Sequence, residues 1–261
     1  MSDGATLAWA GGFLTDPLAD PVTRRAAAEV SLIGITGGTL GCWIVHYRLS
    51  YAAESIAHCM LPGLVGAALI GAPLVLGGAA GLLAGAAAIG LAARAPGIDR
   101  DTAVAVAVTT LFGLGALLAL APSSPPGIGE ILFGDVLATS AADLALAGGL
   151  VALTLLGLFA LHPRLLAVGF DGAGAMGVRG GAVEAALLVL LAAAVLVAVQ
   201  GLGNLLAVAS LVGPAAVARS LSRRMAPMMA IAAALAVASG VAGLYASYHL
   251  EIAAGAAISR W

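Results

Sequence analysis

The chain has 261 residues, of which 62% are hydrophobic and 9% charged, with a mean hydropathy of +1.09; this excludes a water-soluble domain, where about a quarter of residues are charged. The net charge of -2 at pH 7 leaves no basic field for a nucleic acid. All eleven basic residues are arginine, so the chain can form neither a phosphate-binding loop ending in Gly-Lys-Ser/Thr nor a Schiff-base lysine, and any ATP-driven work would need hydrolysis on another polypeptide.

Residues Met1 to Ala26 carry Asp3, Asp16 and Asp20 but no early positive charge. They lack the basic start of a cleavable signal peptide and read as an exposed or interfacial N-terminal segment, 1–25, ahead of one transmembrane domain, 26–261. Breaking the remainder at charges, prolines and glycine-rich turns leaves eight apolar runs of about 17 to 23 residues, the length that crosses a bilayer as helix. They are Ala26–Val45, Ala52–Gly71, Val75–Ala93, Thr102–Ala121, Ala142–Leu161, Ala182–Val199, Leu202–Ala218 and Ala226–Tyr248. The expected fold is therefore all-α and polytopic. Aromatics are scarce and Ala, Leu, Val and 36 Gly dominate, which points to helices joined by small-residue contacts; Gly77, Gly81 and Gly85 have the required spacing.

Arginine marks alternate loops: Arg48, then Arg94 and Arg100, then Arg164 and Arg179, then Arg219, Arg223 and Arg224. Short basic loops stay in the cytoplasm, which places the intervening turns and both termini outside, although Arg24 and Arg25 on the outer flank run against that bias. Three stretches depart from plain spans. "PSSPPGIGEILFGDVLATSAADL" suits a short helix dipping into the membrane, "VQGLGNLL" a loosened helix end, and "HPRLLAVGFDGAGAMGVRGG" a cytoplasmic segment with a short helix of its own.

Within "YAAESIAHCMLPG", Glu54 and His58 are four residues apart and share a helix face, with Cβ atoms about 6 Å apart. Carboxylate plus imidazole suits zinc, manganese or ferrous iron better than magnesium. Pro62 has no N–H to return to the carbonyl of His58, which gives the face a further oxygen. The plainer reading makes Glu54 an interfacial carboxylate and His58 a partner in one interhelical hydrogen bond; depth decides, since a helix beginning near Ser50 carries His58 about 12 Å inward.

Other polar groups have plainer roles. His249 and Glu251 lie two apart beyond the last run and read as solvated polarity. His46 and His162 read as helix-end residues, and Glu29, Glu184, Asp135 and Asp143 as interfacial. Cys42 and Cys59 lack zinc-knuckle spacing and read as buried free thiols. No nucleophile, base and orienter occur together, so an enzyme is a poor fit.

The fragments "RRAAAEVSLIG", "GTLGCWIVHYRLSYAAESIAHCMLPGLVGAALIG", "DRDTAVAVAVTTLFGLGALL", "ILFGDVLATSAADL", "VGFDGAGAMGV", "GLGNLLAVASLVGPAAVARSLSRRM" and "GLYASYHLEIAAGAAI" together resemble the zinc/manganese/iron family of ABC transporter permeases over nearly everything after Arg24. The resemblance implies a membrane subunit of the bacterial plasma (inner) membrane. It would pair with a second copy or a sibling permease, bind cytosolic ABC ATPase subunits and receive metal from an extracytoplasmic binding protein. The family's Asp-x-x-x-His before Leu-Pro-Gly aligns with Glu54 and His58, which implies that these are intramembrane metal ligands, with Glu in place of Asp. The family's Pro-Thr-Gly near the C-terminus is replaced by "AAG". The segment Phe170 to Gly177, with Phe170, Asp171, Ala175 and Gly177, resembles the coupling helix that docks into the ATPase.

The expectation is a permease subunit of an ATP-driven importer of divalent transition metal, with the ion as substrate and no permanently bound cofactor. A proton-coupled secondary metal transporter and a purely structural membrane subunit are the alternatives. The first would work without an ATPase and the second would tolerate loss of Glu54 and His58.

Overall fold

A computed structural model describes residues 16–92, 95–97, 99–121, 140–169 and 180–250, and it is helical in every regular element among them. The first long helix, α1 (Pro21–His46), begins five residues before the expected Ala26. The cause is a start signal ahead of the apolar run: Asp20 accepts hydrogen bonds from the N–H groups of Val22 and Thr23, each at 3.3 Å, and Pro21 occupies the first turn. These backbone donors, Val22 foremost, hold the Asp20 carboxyl below the usual carboxylate range.

The expected second span is divided at Met60 into α2 (Ser50–Cys59) and α3 (Leu61–Ile70), which together run 21 residues. Pro62 cannot donate to the preceding turn, and the N–H of Met60 tightens onto Ala57 O at 3.2 Å. Gly71, at φ 69°, then ends α3 in the left-handed region where glycine has no Cβ penalty.

The chain continues through α4 (Leu74–Ala92), α5 (Arg100–Ala119), α6 (Ala141–Gly169), α7 (Gly180–Leu202), α8 (Asn204–Leu221) and α9 (Met225–Leu250). Among the described residues, five stretches are long and apolar enough to cross a membrane: α1, α2 with α3, most of α5, most of α6, and α9. Shorter apolar helical stretches occur at Leu74–Ile89, Ala186–Val199 and Leu206–Leu221, where the remaining expected spans lie. Of the stretch expected to dip, 122–144, residues 122–139 fall outside the described residues and 141–144 open α6, and the expected coupling helix, from Phe170 to Gly177, falls outside the described residues.

Two boundaries differ instructively from expectation. Helix α6 does not stop at Leu161 but passes through Pro163 to Gly169, because Leu165 is fully buried and a proline deletes only one donor of a helix already held by its neighbours. The loosened end in "VQGLGNLL" is a break at Gly203, whose φ of 77° separates α7 from α8.

Helix α1 is the centre of the bundle, packed against α9, α8, α6 and α7, with Leu40, Trp43 and Ile44 fully buried. Its crossing with α9 depends on missing side chains. A Cβ on Gly38 would stand 2.5 Å from the backbone nitrogen of Ala233, and one on Gly34 would stand 3.0 Å from that of Val237. A second group joins α2 and α3 to α4 and α5: Gly77 meets Gly63, while a Cβ on Gly81 would stand 2.8 Å from Met60 O. Helix α7 touches both groups.

Large apolar side chains face outward as well as inward. Phe159 is 82% exposed and Leu120 81%, on helices with no polar outer stripe. Such a surface is stable against lipid and not against water.

Candidate functional site

Helix α2 begins at Ser50, the earlier of the two possible starts. At 1.5 Å per residue, His58 therefore lies about 12 Å and Glu54 about 6 Å along the helix from its arginine-bearing end. No side chain caps this start. The chain enters it through Arg48, at φ 57°, and the N–H of Leu49 donates to Ile44 O at 2.8 Å.

Most of α2 is enclosed: Ala52, Ala53, Ser55, Ile56, Ala57 and Cys59 are buried. Tyr51 and Glu54 are exposed and His58 is half-buried, so the acid and the imidazole share the one open face of an otherwise buried helix. The His58 ring stands nearly perpendicular to Phe112 of α5, with centroids 5.5 Å apart and planes at 79°. Phe112 is itself 40% exposed, so the open face continues onto α5. This neighbour was not legible beforehand, because nothing in the periodicity of a uniformly apolar helix selects Phe112.

Among the described residues no three His, Cys, Asp or Glu side chains come together as a metal site. Glu54 and His58 thus offer two ligands, and a zinc, manganese or iron ion needs four or more. Cys42 and Cys59 are buried free thiols; Cys42 donates to Gly38 O at 3.2 Å.

Glu29, the ninth residue of α1, is 2% exposed and packs toward α7, where a Cβ on Gly201 would stand 3.0 Å from its Oε1. His162 is not at a helix end but inside α6, with its ring 5.3 Å from Trp43 and nearly perpendicular to it. His46 does close α1, and His249 lies in the last turn of α9 with its ring 5.2 Å from Tyr248. Glu251, Asp135, Phe170, Asp171, Ala175 and Gly177 lie outside the described residues, as do the side chains of Asp143 and Glu184.

The arginine-bearing ends of three helices meet. Arg219 Nη1 donates to Val45 O at 3.1 Å, joining the end of α8 to the end of α1. The Tyr47 hydroxyl donates to Leu165 O at 2.7 Å, joining the residue after α1 to the stretch of α6 beyond Arg164. Arg48, Arg164 and Arg219 are exposed beside these two contacts, Arg223 and Arg224 are exposed in the turn after α8, and Arg24 and Arg25 are exposed at the opposite end of α1.

Residues 19–260 match the model of the ABC 3 transport family. "Manganese transport system membrane protein MntC" of Halalkalibacterium halodurans is 33% identical over 238 residues, which cover 90% of this chain and 82% of that protein. "Chelated iron transport system membrane protein YfeD" of Yersinia pestis is 27% identical over 247 residues, covering 94% of this chain and 83% of that one. Among solved structures, "PsaBC from Streptococcus pneumoniae in complex with Fab" superposes with a TM-score of 0.85 at 28% identity, covering 96% of this chain and 91% of that chain.

Proposed function

The chain belongs to the ABC 3 transport family, and from that premise we propose that it is the permease subunit of an ATP-driven importer of divalent manganese, iron or zinc. The observation that carries this reading is the acid and imidazole pair, Glu54 and His58, on the open face of α2 within the 21-residue apolar stretch Ser50–Ile70. An ionisable side chain inside a span is costly unless it pairs or serves a pathway. A passing dication offsets that cost for both groups together.

Two ligands hold a metal ion loosely, which suits a transporter that must release its cargo. The remaining ligands come from water and from a second permease, a copy of this chain or a sibling, facing the same opening. The relatives named for manganese and chelated iron transport support the substrate class. Energy enters from a separate cytosolic ABC ATPase, because this chain has no lysine with which to build a phosphate-binding loop. That ATPase docks around Phe170, Asp171, Ala175 and Gly177, an extracytoplasmic binding protein delivers the ion, and nucleotide-driven closure rocks the paired permeases between outward and inward access. The site of action is the bacterial inner membrane.

The native complex, purified and reconstituted, tests the transport class. A P-loop ATPase is expected to co-purify, and manganese uptake is expected to stop when that ATPase's phosphate-binding lysine is replaced and to continue when a protonophore is added. Uptake that persists without ATP hydrolysis and collapses with the protonophore would instead identify proton-coupled transport.

A further inference from the structure

The α1–α2 turn links two places that the sequence keeps far apart. On one side, Tyr47 donates its hydroxyl hydrogen bond to Leu165 O, in the last part of α6, and Leu165 is fully buried. Trp43 and His162 add an edge-to-face ring contact between the same two helices, 5.3 Å between centroids. On the other side, α2 begins three residues after Tyr47, and Glu54 follows within its second turn. Leu165 lies five residues before Phe170, where the docking segment starts.

The link is short and stiff. Arg48 holds the left-handed conformation at φ 57°, which costs an L-residue backbone strain and persists only where its surroundings fix it. Those surroundings are hydrogen bonds on both flanks: Tyr47 N–H to Trp43 O at 2.9 Å, Leu49 N–H to Ile44 O at 2.8 Å and Arg219 Nη1 to Val45 O at 3.1 Å. Pro163 leaves the final part of α6 without one helical hydrogen bond to the part before it, so this part depends more on the contact to Tyr47.

We propose that Tyr47 is a positioning residue for transport: its hydrogen bond to Leu165 O transmits displacement of the end of α6, through the strained turn at Arg48, to the helix that carries Glu54 and His58. This rests on the reading of the chain as an ATP-driven permease. The hydroxyl touches neither metal nor nucleotide. It acts by making the end of α6 and the start of α2 move as one body.

The test uses the complete complex with its ATPase in proteoliposomes and reads manganese transported per ATP hydrolysed. Tyr47→Phe keeps the ring and deletes the donor. It is expected to lower that ratio about three- to tenfold, the range that one ordinary internal hydrogen bond is worth. ATPase co-purification should stay at the wild-type level and the thermal midpoint should fall by only about 2–4 °C, the cost of one hydrogen bond in a chain of this size, whereas a merely structural role would lower transport and hydrolysis together and leave their ratio unchanged. His162→Ala should lower the ratio and His162→Phe should restore it, which keeps the proposal testable if Tyr47→Phe folds poorly. Wild-type stoichiometry in both Tyr47→Phe and His162→Ala overturns the proposal and leaves the transport reading intact. A wild-type complex that transports manganese without hydrolysing ATP overturns both.

Discussion

At the residue scale, the question is why an acid and an imidazole occupy a helix whose other positions are almost all apolar. Both were legible in the sequence, because a carboxylate and a histidine at i and i+4 are conspicuous in a run of Ala, Ile, Leu and Gly. Their exposure was not legible, since it depends on which face of α2 the neighbouring helices leave uncovered, nor was the contact of His58 with Phe112. If Glu54 serves as a charged ligand, Glu54→Asp should keep uptake because it keeps the carboxylate. Glu54→Gln should lower uptake by at least about tenfold, the lower bound of what even an indirect disturbance of a metal ligand causes. Rates for Glu54→Gln equal to wild type, measured as manganese accumulation at matched expression, would remove the charge from the account. Glu29 teaches the opposite lesson: its burial comes from packing against Gly201 of α7, a neighbour that the local sequence does not reveal.

At the element scale, helix identity was legible and helix continuity was not. Every expected span has a helix in its place, since apolar length is a property of the local sequence. The break at Met60 and the passage through Pro163 depend instead on what lies across from them: Gly81 against the turn at Met60, and a buried site for Leu165. The stripe Gly77, Gly81 and Gly85 packs as its spacing suggests, with Gly85 against Cys59. Glycines separate cleanly by what opposes them. A Cβ on Gly38 would meet α9 backbone at 2.5 Å, whereas one on Gly66 would meet nothing within 4 Å. Gly38→Ala should therefore destabilise the protein by about 1–3 kcal/mol, the usual result of overpacking. Gly66→Ala should be neutral or stabilise it by up to about 1 kcal/mol through helix propensity. Thermal inactivation in detergent checks both, and equal losses would mean that the α1–α9 crossing is looser than these distances indicate.

At the scale of the whole molecule, uniformly apolar helices and arginines in alternate turns describe a membrane protein of several spans, and the absence of lysine means that, on the proposed reading, the phosphate-binding loop lies on another chain. The sequence carried this much because composition and charge placement are global properties that survive errors in any one boundary. The metal pathway itself was not legible in full, since on the proposed reading the pair on the open face of α2 is completed by groups outside this chain. The most direct measurement is manganese uptake into proteoliposomes by the reconstituted complex carrying Glu54→Ala together with His58→Ala, with ATPase co-purification read on the same sample. Uptake at the level of empty vesicles with the ATPase still bound is the predicted result; uptake at the wild-type rate would contradict the assignment of the pathway to this pair.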